Sequence, residues 1–193
     1  MAQGTTDTGR TTLAGDFSEP GLARGQNLSV DAVVTSGDKG YDEDDVQATN
    51  SASYGDEINK SDILELAPKD ATVTAYANLS TAPAEETNVT FELLNETGTE
   101  LANDTVSVSD GQTQTTTVDL VGNFTDAGLV GGEDLTVNMN TTSGETGYTS
   151  ETAAVNDIRP DQSRTANATL EAKNVAVTTN ATLSIAPAET TEV

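Results

Sequence analysis

Ala71-Thr72-Val73-Thr74-Ala75-Tyr76 sets a small or apolar residue at every second position, and Val89-Thr90-Phe91-Glu92-Leu93 repeats the pattern. Side chains along a β-strand alternate between its two faces, so each stretch presents one apolar face and one solvated face. Working outward, the same reading covers Val106-Ser107-Val108, Thr113 to Leu120, Leu135 to Met139, Leu170 to Ala172 and Val175-Ala176-Val177. Leu28 to Val34 alternates at first and then runs continuously apolar. Val and Thr suit a half-buried pleated surface because their branched side chains pack well there. Turn formers separate the strands. Asn95-Glu96-Thr97-Gly98 reads as the loop of a β-hairpin, and Ser109-Asp110-Gly111 marks the next reversal. Helix signal is confined to Ser61-Asp62-Ile63-Leu64-Glu65-Leu66, one turn opened by a Ser cap. Short strands with turns about every ten residues predict an all-β fold, an antiparallel sandwich or barrel of immunoglobulin-like or jelly-roll-like kind.

The chain is internally duplicated. Gly15-Asp16-Phe17 through Gly25-Gln26-Asn27-Leu28-Ser29-Val30 returns as Gly122-Asn123-Phe124 through Gly132-Glu133-Asp134-Leu135-Thr136-Val137. In register, Thr35-Ser36-Gly37 and Gly40-Tyr41 return as Thr142-Ser143-Gly144 and Gly147-Tyr148. Leu79 to Val89 then returns as Leu183 to Val193. A period of about a hundred residues is the size of a small domain and too long for a solenoid repeat. The expected organisation is a polar arm over residues 1–14, a first β copy with its hairpin over 15–111, and a second over 112–193. The opening sixty-odd residues match the back half of the copy that runs from 69 to 158, and the last thirty match its front. These terminal pieces are expected to fold together into one pseudo-symmetric sandwich. The alternatives are strand donation between subunits and a place in a longer array, because an open strand edge is costly.

Charge bounds the setting. The 193 residues carry 32 acids against 8 bases, a net charge of −24, with no Cys, His or Trp. Such a charge drives a compact state apart in dilute buffer, whereas 1 M salt screens it within about 3 Å. The predicted habitat is therefore concentrated brine. Without Cys there are no disulfides and no thiolate zinc sites; without His the commonest general base is missing. Nucleic acid is excluded as a partner by the repulsion of its phosphates, and no segment has the twenty apolar residues of a membrane span. The polar start Met1 to Thr8 lacks the basic and apolar regions of a signal peptide.

Two sets of residues are candidate sites. The acidic run Asp42, Glu43, Asp44 and Asp45, with Asp38 nearby, offers hard carboxylate oxygens of the kind that bind Ca²⁺, the one cofactor considered. Its spacing is not that of an EF-hand loop, and the matching Thr149-Ser150-Glu151-Thr152 has lost most of the charge, which favours a solvated acidic loop. Ten Asn residues stand in Asn-X-Ser/Thr sequons, and Asn95, Asn103 and Asn140 are the expected loop acceptors for glycosylation. The competing reading is a solvated strand face, where residues two apart share a side and Asn with Thr recur unaided. No nucleophile elbow, P-loop or dinucleotide fingerprint is present, and three Phe with no Trp offer little for stacking on sugars. The prediction is a protein that is not an enzyme. The five repeated glycines, Gly15, Gly21, Gly25, Gly37 and Gly40, are read as turn residues, and Phe17, Leu22, Phe124 and Leu129 as core anchors.

Residues 69–158, with their run of six strands, resemble an immunoglobulin-like module of archaeal surface adhesins. That resemblance implies a cell-surface adhesin, pilus or S-layer module joined by strand pairing between subunits. In composition, size and strand pattern the chain is also similar to virion proteins of haloarchaeal viruses. This second resemblance implies a self-assembling coat or decoration subunit at the virion surface, with further copies or other coat proteins as partners. The start at Met1 without a signal peptide favours the virion expectation; the sequons favour the extracellular one.

Overall fold

A computed structural model describes residues 11–13, 15, 17–18, 22–37, 39–58, 64–124, 129–182, 184 and 189–190. The chain is all-β. Among the described residues nine strands follow in order: β1 (Leu28–Ala32), β2 (Asp44–Thr49), β3 (Ala71–Leu79), β4 (Thr87–Leu94), β5 (Glu100–Val108), β6 (Val118–Gly122), β7 (Glu133–Ser143), β8 (Glu151–Ile158) and β9 (Ser163–Leu170). Strands β3 to β9 form a sandwich of two open sheets, one ordered β6-β3-β9 and the other β5-β4-β7-β8, and β1 and β2 make a two-stranded sheet of their own.

Alternation drives this directly. In β3 every odd residue from Ala71 to Leu79 is buried and every even one half-buried; β4 does the same with Val89, Phe91 and Leu93. Facing them are Leu135, Val137 and Met139 of β7, Val118 and Leu120 of β6, Val155 and Ile158 of β8, and Ala166 and Leu170 of β9. Phe91 is fully buried at the centre; removing its ring would cost about 3–5 kcal/mol through lost transfer energy and the cavity left behind. Edge strand β5 turns Glu100, Asn103 and Asp104 to solvent, a charged border that discourages pairing with another sheet.

Strand β3 pairs parallel with β9, from Thr72↔Ser163 to Leu79↔Leu170. The remaining pairs are antiparallel. The parallel pair makes the sandwich polar: the chain enters β3 and leaves β9 at opposite ends.

Several expectations need adjustment. The acidic stretch Asp44–Thr49 is strand β2, not loop, because alternate residues of it rest against β1. Strands β8 and β9 were hidden by Ala-rich and polar sequences. Leu170 ends β9, but Ala172 forms an isolated bridge with Tyr148, and residues 173–182 carry no strand. Among the described residues no strand pairing links that segment to β1 or β2. Residues 64–66 form no helix, and Ser61 to Ile63 lie outside the described residues. The boundary between residues 111 and 112 falls in the turn between β5 and β6, so strands from both sequence copies share the one sandwich.

Candidate functional site

The acidic run does not converge. Asp44 and Asp45 are neighbours on a strand and point to opposite faces. One oxygen of Asp44 accepts the backbone N–H of Glu65 at 2.8 Å and the other that of Asp45 at 2.9 Å, while Asp42 lies 3.9 Å from the Lys69 ammonium. Glu43 is exposed, and Asp38 lies outside the described residues. Among the described residues no three acidic groups meet in a metal-binding arrangement.

Among the sequon residues, Asn95 stands in the β4–β5 loop, buried. Its Oδ1 accepts the N–H groups of Thr97 (3.1 Å) and Thr99 (2.8 Å) and the Thr97 hydroxyl (2.8 Å), so the side chain builds the turn that Gly98 completes at φ 78°. Asn103 and Asn140 are not in loops: the first lies exposed on β5, donating to Glu100, and the second half-buried within β7.

What the fold does build with care is a repeated junction. Strand pair β1–β2 reproduces β7–β8 at an offset of 107 residues, the distance from Gly15 to Gly122. The pairs Ser29↔Gln47, Val30↔Val46, Asp31↔Asp45 and Ala32↔Asp44 become Thr136↔Ala154, Val137↔Ala153, Asn138↔Thr152 and Met139↔Glu151. Ahead of each hairpin lies the same turn. The N–H of Ala23 donates to Gln26 Oε1 at 2.8 Å, and that of Val130 to Glu133 Oε2 at 3.0 Å; Gly25 and Gly132 hold φ of 84° and 93° there. The glycine reading is right for these two and for Gly37 and Gly144, at 79° and 74°. It fails at Gly15 and Gly122, where a Cβ would press on Leu22 and Leu129 at 3.0 and 3.1 Å. Gly21 lies outside the described residues.

After each hairpin the outgoing chain is clamped identically. Asp42 N–H donates to the Ala67 carbonyl (2.8 Å) and Lys69 N–H to that of Gly40 (2.8 Å), with Tyr41 bridging Pro68. In the second copy Thr149 donates to Glu171 (2.8 Å), Lys173 to Gly147 (2.7 Å), and Tyr148 bridges Ala172. The β8–β9 turn also has its twin. Arg159-Pro160-Asp161-Gln162 closes with a 3.2 Å bond and Asp161 at φ 60°, and Ser53-Tyr54-Gly55-Asp56 closes with 3.2 Å and Gly55 at 76°.

The copies differ in what covers them. Gly40 is buried because the Pro160 turn sits on it, so close that a Cβ there would overlap the Pro160 carbonyl. The corresponding Gly147 has nothing within 4 Å of that position. Tyr148 is buried, its hydroxyl donating to the Thr81 carbonyl at 2.8 Å, and burial together with the charge of Glu145 pushes its pKa above that of a free tyrosine. Tyr41 is only half-buried. Phe124 and Leu129 pack on the core as expected, whereas Phe17 instead meets Tyr54 edge to face, ring centres 4.8 Å apart. Sequence reading found the repeated glycines but missed the paired turns at Tyr54 and Pro160, whose signal is a turn-forming dipeptide in each, Tyr-Gly and Pro-Asp.

No protein-family profile matches the chain, and no curated protein matches it in sequence. Among solved structures it is similar to the minor pilin of the Gram-positive pathogen Streptococcus agalactiae, at 12% identity and a TM-score of 0.37 over 72% of this chain and 63% of that one. It is also similar to the Bacillus anthracis TIE protein, at 11% identity and a TM-score of 0.35 over 76% of this chain and 25% of that one. The chain thus spans less than two thirds of either protein's length.

Proposed function

We propose that this protein is a non-enzymatic structural subunit, a modular component of a surface assembly bathed in concentrated salt. The observation that carries the reading is the doubled hairpin with its doubled clamp on the outgoing chain, the same hydrogen bonds at both poles of the sandwich. A protein that acts through a pocket has reason to keep a pocket; one that builds by stacking has reason to keep a junction. The charge of −24 supports a briny exterior. A sandwich whose chain enters and leaves at opposite ends suits head-to-tail contacts, the kind that build open rows. That geometry supports a haloarchaeal cell-surface adhesin, pilus or S-layer module ahead of a closed haloarchaeal virus capsid or a decoration protein on one. The virion reading rests on the same acidic composition and on small size.

The test is immunogold labelling of native cells and of any virions they release. Label along the cell exterior is the expected result. Label confined to virions would exchange the two settings, and label confined to the cell interior would sink both.

A further inference from the structure

Large apolar side chains are exposed at both ends of this molecule, at positions that the repeat makes complementary. In the sandwich, β3 lies between β6 and β9, with Val73 opposite Leu120 and Ala71 opposite Gly122. The copy of β3 is the segment from Val175 onward, so Val175 and Val177 stand for Ala71 and Val73. The copy of the β6 segment is the stretch ending at Gly15, so Leu13 stands for Leu120. Ala71, Val73 and Leu120 are at most 1% exposed; Val175, Val177 and Leu13 are 88%, 80% and 67% exposed.

Between the two places where such a strand would find its neighbours lies a cleft of about 510 Å³. Leu13, Gly15 and Phe17 line it together with Asp56, Glu57 and Ile58. The second group copies the start of β9, where the Thr72 N–H donates to the Gln162 carbonyl at 2.9 Å. Around this half-module the coverage is missing in a consistent way. Leu28 and Val30 are only half-buried where Leu135 and Val137 are sealed. Gly37 faces open space where Gly144 is pressed by Glu86 and Thr87.

We propose that residues 175–182 of one chain insert into this cleft of a second copy, adding a strand that the described residues do not supply to the half-module around β1 and β2. Val177 then lies opposite Leu13 and Val175 opposite Gly15. The exposed Tyr54 turn, 71% accessible, docks on the open Gly147 of the donor as Pro160 docks on Gly40 within the chain. The chain's own segment cannot serve. Lys173 is bonded to the Gly147 carbonyl, and the two residues from there to Val175 span at most about 7 Å. The cleft belongs to the half attached at the opposite pole, and the eight residues of β9 alone separate the poles by about 26 Å. The contact is heterologous, joining different surfaces of the two copies, so each copy can both donate and receive. This inference deepens the structural-subunit reading and rests on it.

A chain without cysteine makes the register directly testable. Leu13→Cys and Val177→Cys chains, mixed in concentrated salt under mild oxidation, should form a disulfide-linked dimer containing one of each. Val121→Cys, exposed on the outer face of β6, replaces Leu13→Cys as the control and should cross-link several-fold less. A chain carrying both cysteines should give a ladder of multimers. Far-ultraviolet circular dichroism confirms that each variant keeps the sandwich, which neither Leu13 nor Val177 helps to fill. A yield no better than the control, an internally closed monomer from the double variant, or sedimentation as a monomer at every concentration would each overturn the proposal. Surface labelling is independent of these outcomes, so failure of the strand exchange and failure of the surface role would be told apart.

Discussion

Leu135 and Leu28 occupy the same position in two copies of one hairpin, and truncating each should have unequal consequences. Leu135 is 1% exposed between the two sheets; Leu28 is half-buried on a two-stranded sheet with an open face. Leu→Ala removes roughly three carbons' worth of apolar burial, about 2.4 kcal/mol at 0.8 kcal/mol per methylene, and leaves a cavity that adds about 24 cal/mol per Å³ where the surroundings do not collapse. For Leu135→Ala the sum is about 3–4 kcal/mol. At a urea dependence of about 1–3 kcal/mol per molar, that lowers the unfolding midpoint of the sandwich by roughly 2 M. For Leu28→Ala, partial exposure cuts the transfer loss to about 1 kcal/mol, and solvent already reaches the space. Because β1 and β2 form a separate sheet, that loss falls on the hairpin and leaves the sandwich transition where it was. The assay is urea unfolding followed by circular dichroism at fixed high salt, with amide exchange read over residues 28–32 and 135–139. Equal midpoint shifts for the two variants would refute the reasoning, since they would mean that β1 and β7 are covered alike.

Salt should act unevenly across the same repeat: Asp31 faces Asp45 across β1–β2 where Asn138 faces Thr152 across β7–β8, so lowering salt toward about 0.1 M should speed amide exchange in the first hairpin before the second. A first hairpin that exchanges no faster in low salt would refute this. Gly40→Ala should destabilise the packing of the first hairpin on the sandwich, because a Cβ overlaps the Pro160 carbonyl, whereas Gly147→Ala should leave the isolated chain unchanged; thermal melts of the two compare them. Tyr148 has a folded pKa above its unfolded value near 10, so the stability it contributes is full below about pH 10 and is lost as pH rises past it. Tyr148→Phe should remove the bond to the Thr81 carbonyl, costing about 1 kcal/mol at neutral pH, and should flatten that alkaline loss in pH-dependent melts.

The strands that sequence reading found carry large inward residues or, in β3, a strict alternation of Ala and Val with Thr. Phe91, Leu93, Leu135 and Met139 announce a buried face by bulk, and the strands that hold them were legible. In β9 the inward residues include Ala166 and Ala168, and in β8 Ala153, so alternation is present but the hydrophobic contrast is too small to register. In β2 two aspartates at the start suggest a loop, and only the pairing with β1 reveals that Val46 and Ala48 share an inward side. The reverse error occurred at Val175 to Val177, where β-propensity is strong but the described residues supply no neighbouring strand. Propensity belongs to the segment; a ladder belongs to two segments, and the second is invisible in a linear reading. The candidate sites followed the same rule. Four consecutive acids look like a cluster in sequence, yet a strand sends neighbours to opposite faces, and the turn at Asn95 needs that side chain for its own hydrogen bonds.

The differences between the two copies also argue about where function resides. At outward positions of the hairpin the copies disagree in charge: Asp31 and Asp45 in one, Asn138 and Thr152 in the other. At inward positions they agree in character: Leu28 and Val30 in one, Leu135 and Val137 in the other. A ligand site kept by both copies would need a shared charged constellation on the outward side, and at Asp31 and Asp45 the copies share none. What they do share, bond for bond, is the backbone clamp after each hairpin, through Gly40 and Tyr41 in one and Gly147 and Tyr148 in the other. The outward charge therefore follows solvent, where many arrangements of acids serve equally well. On the structural-subunit proposal, the shared geometry is the part that joins one module to the next.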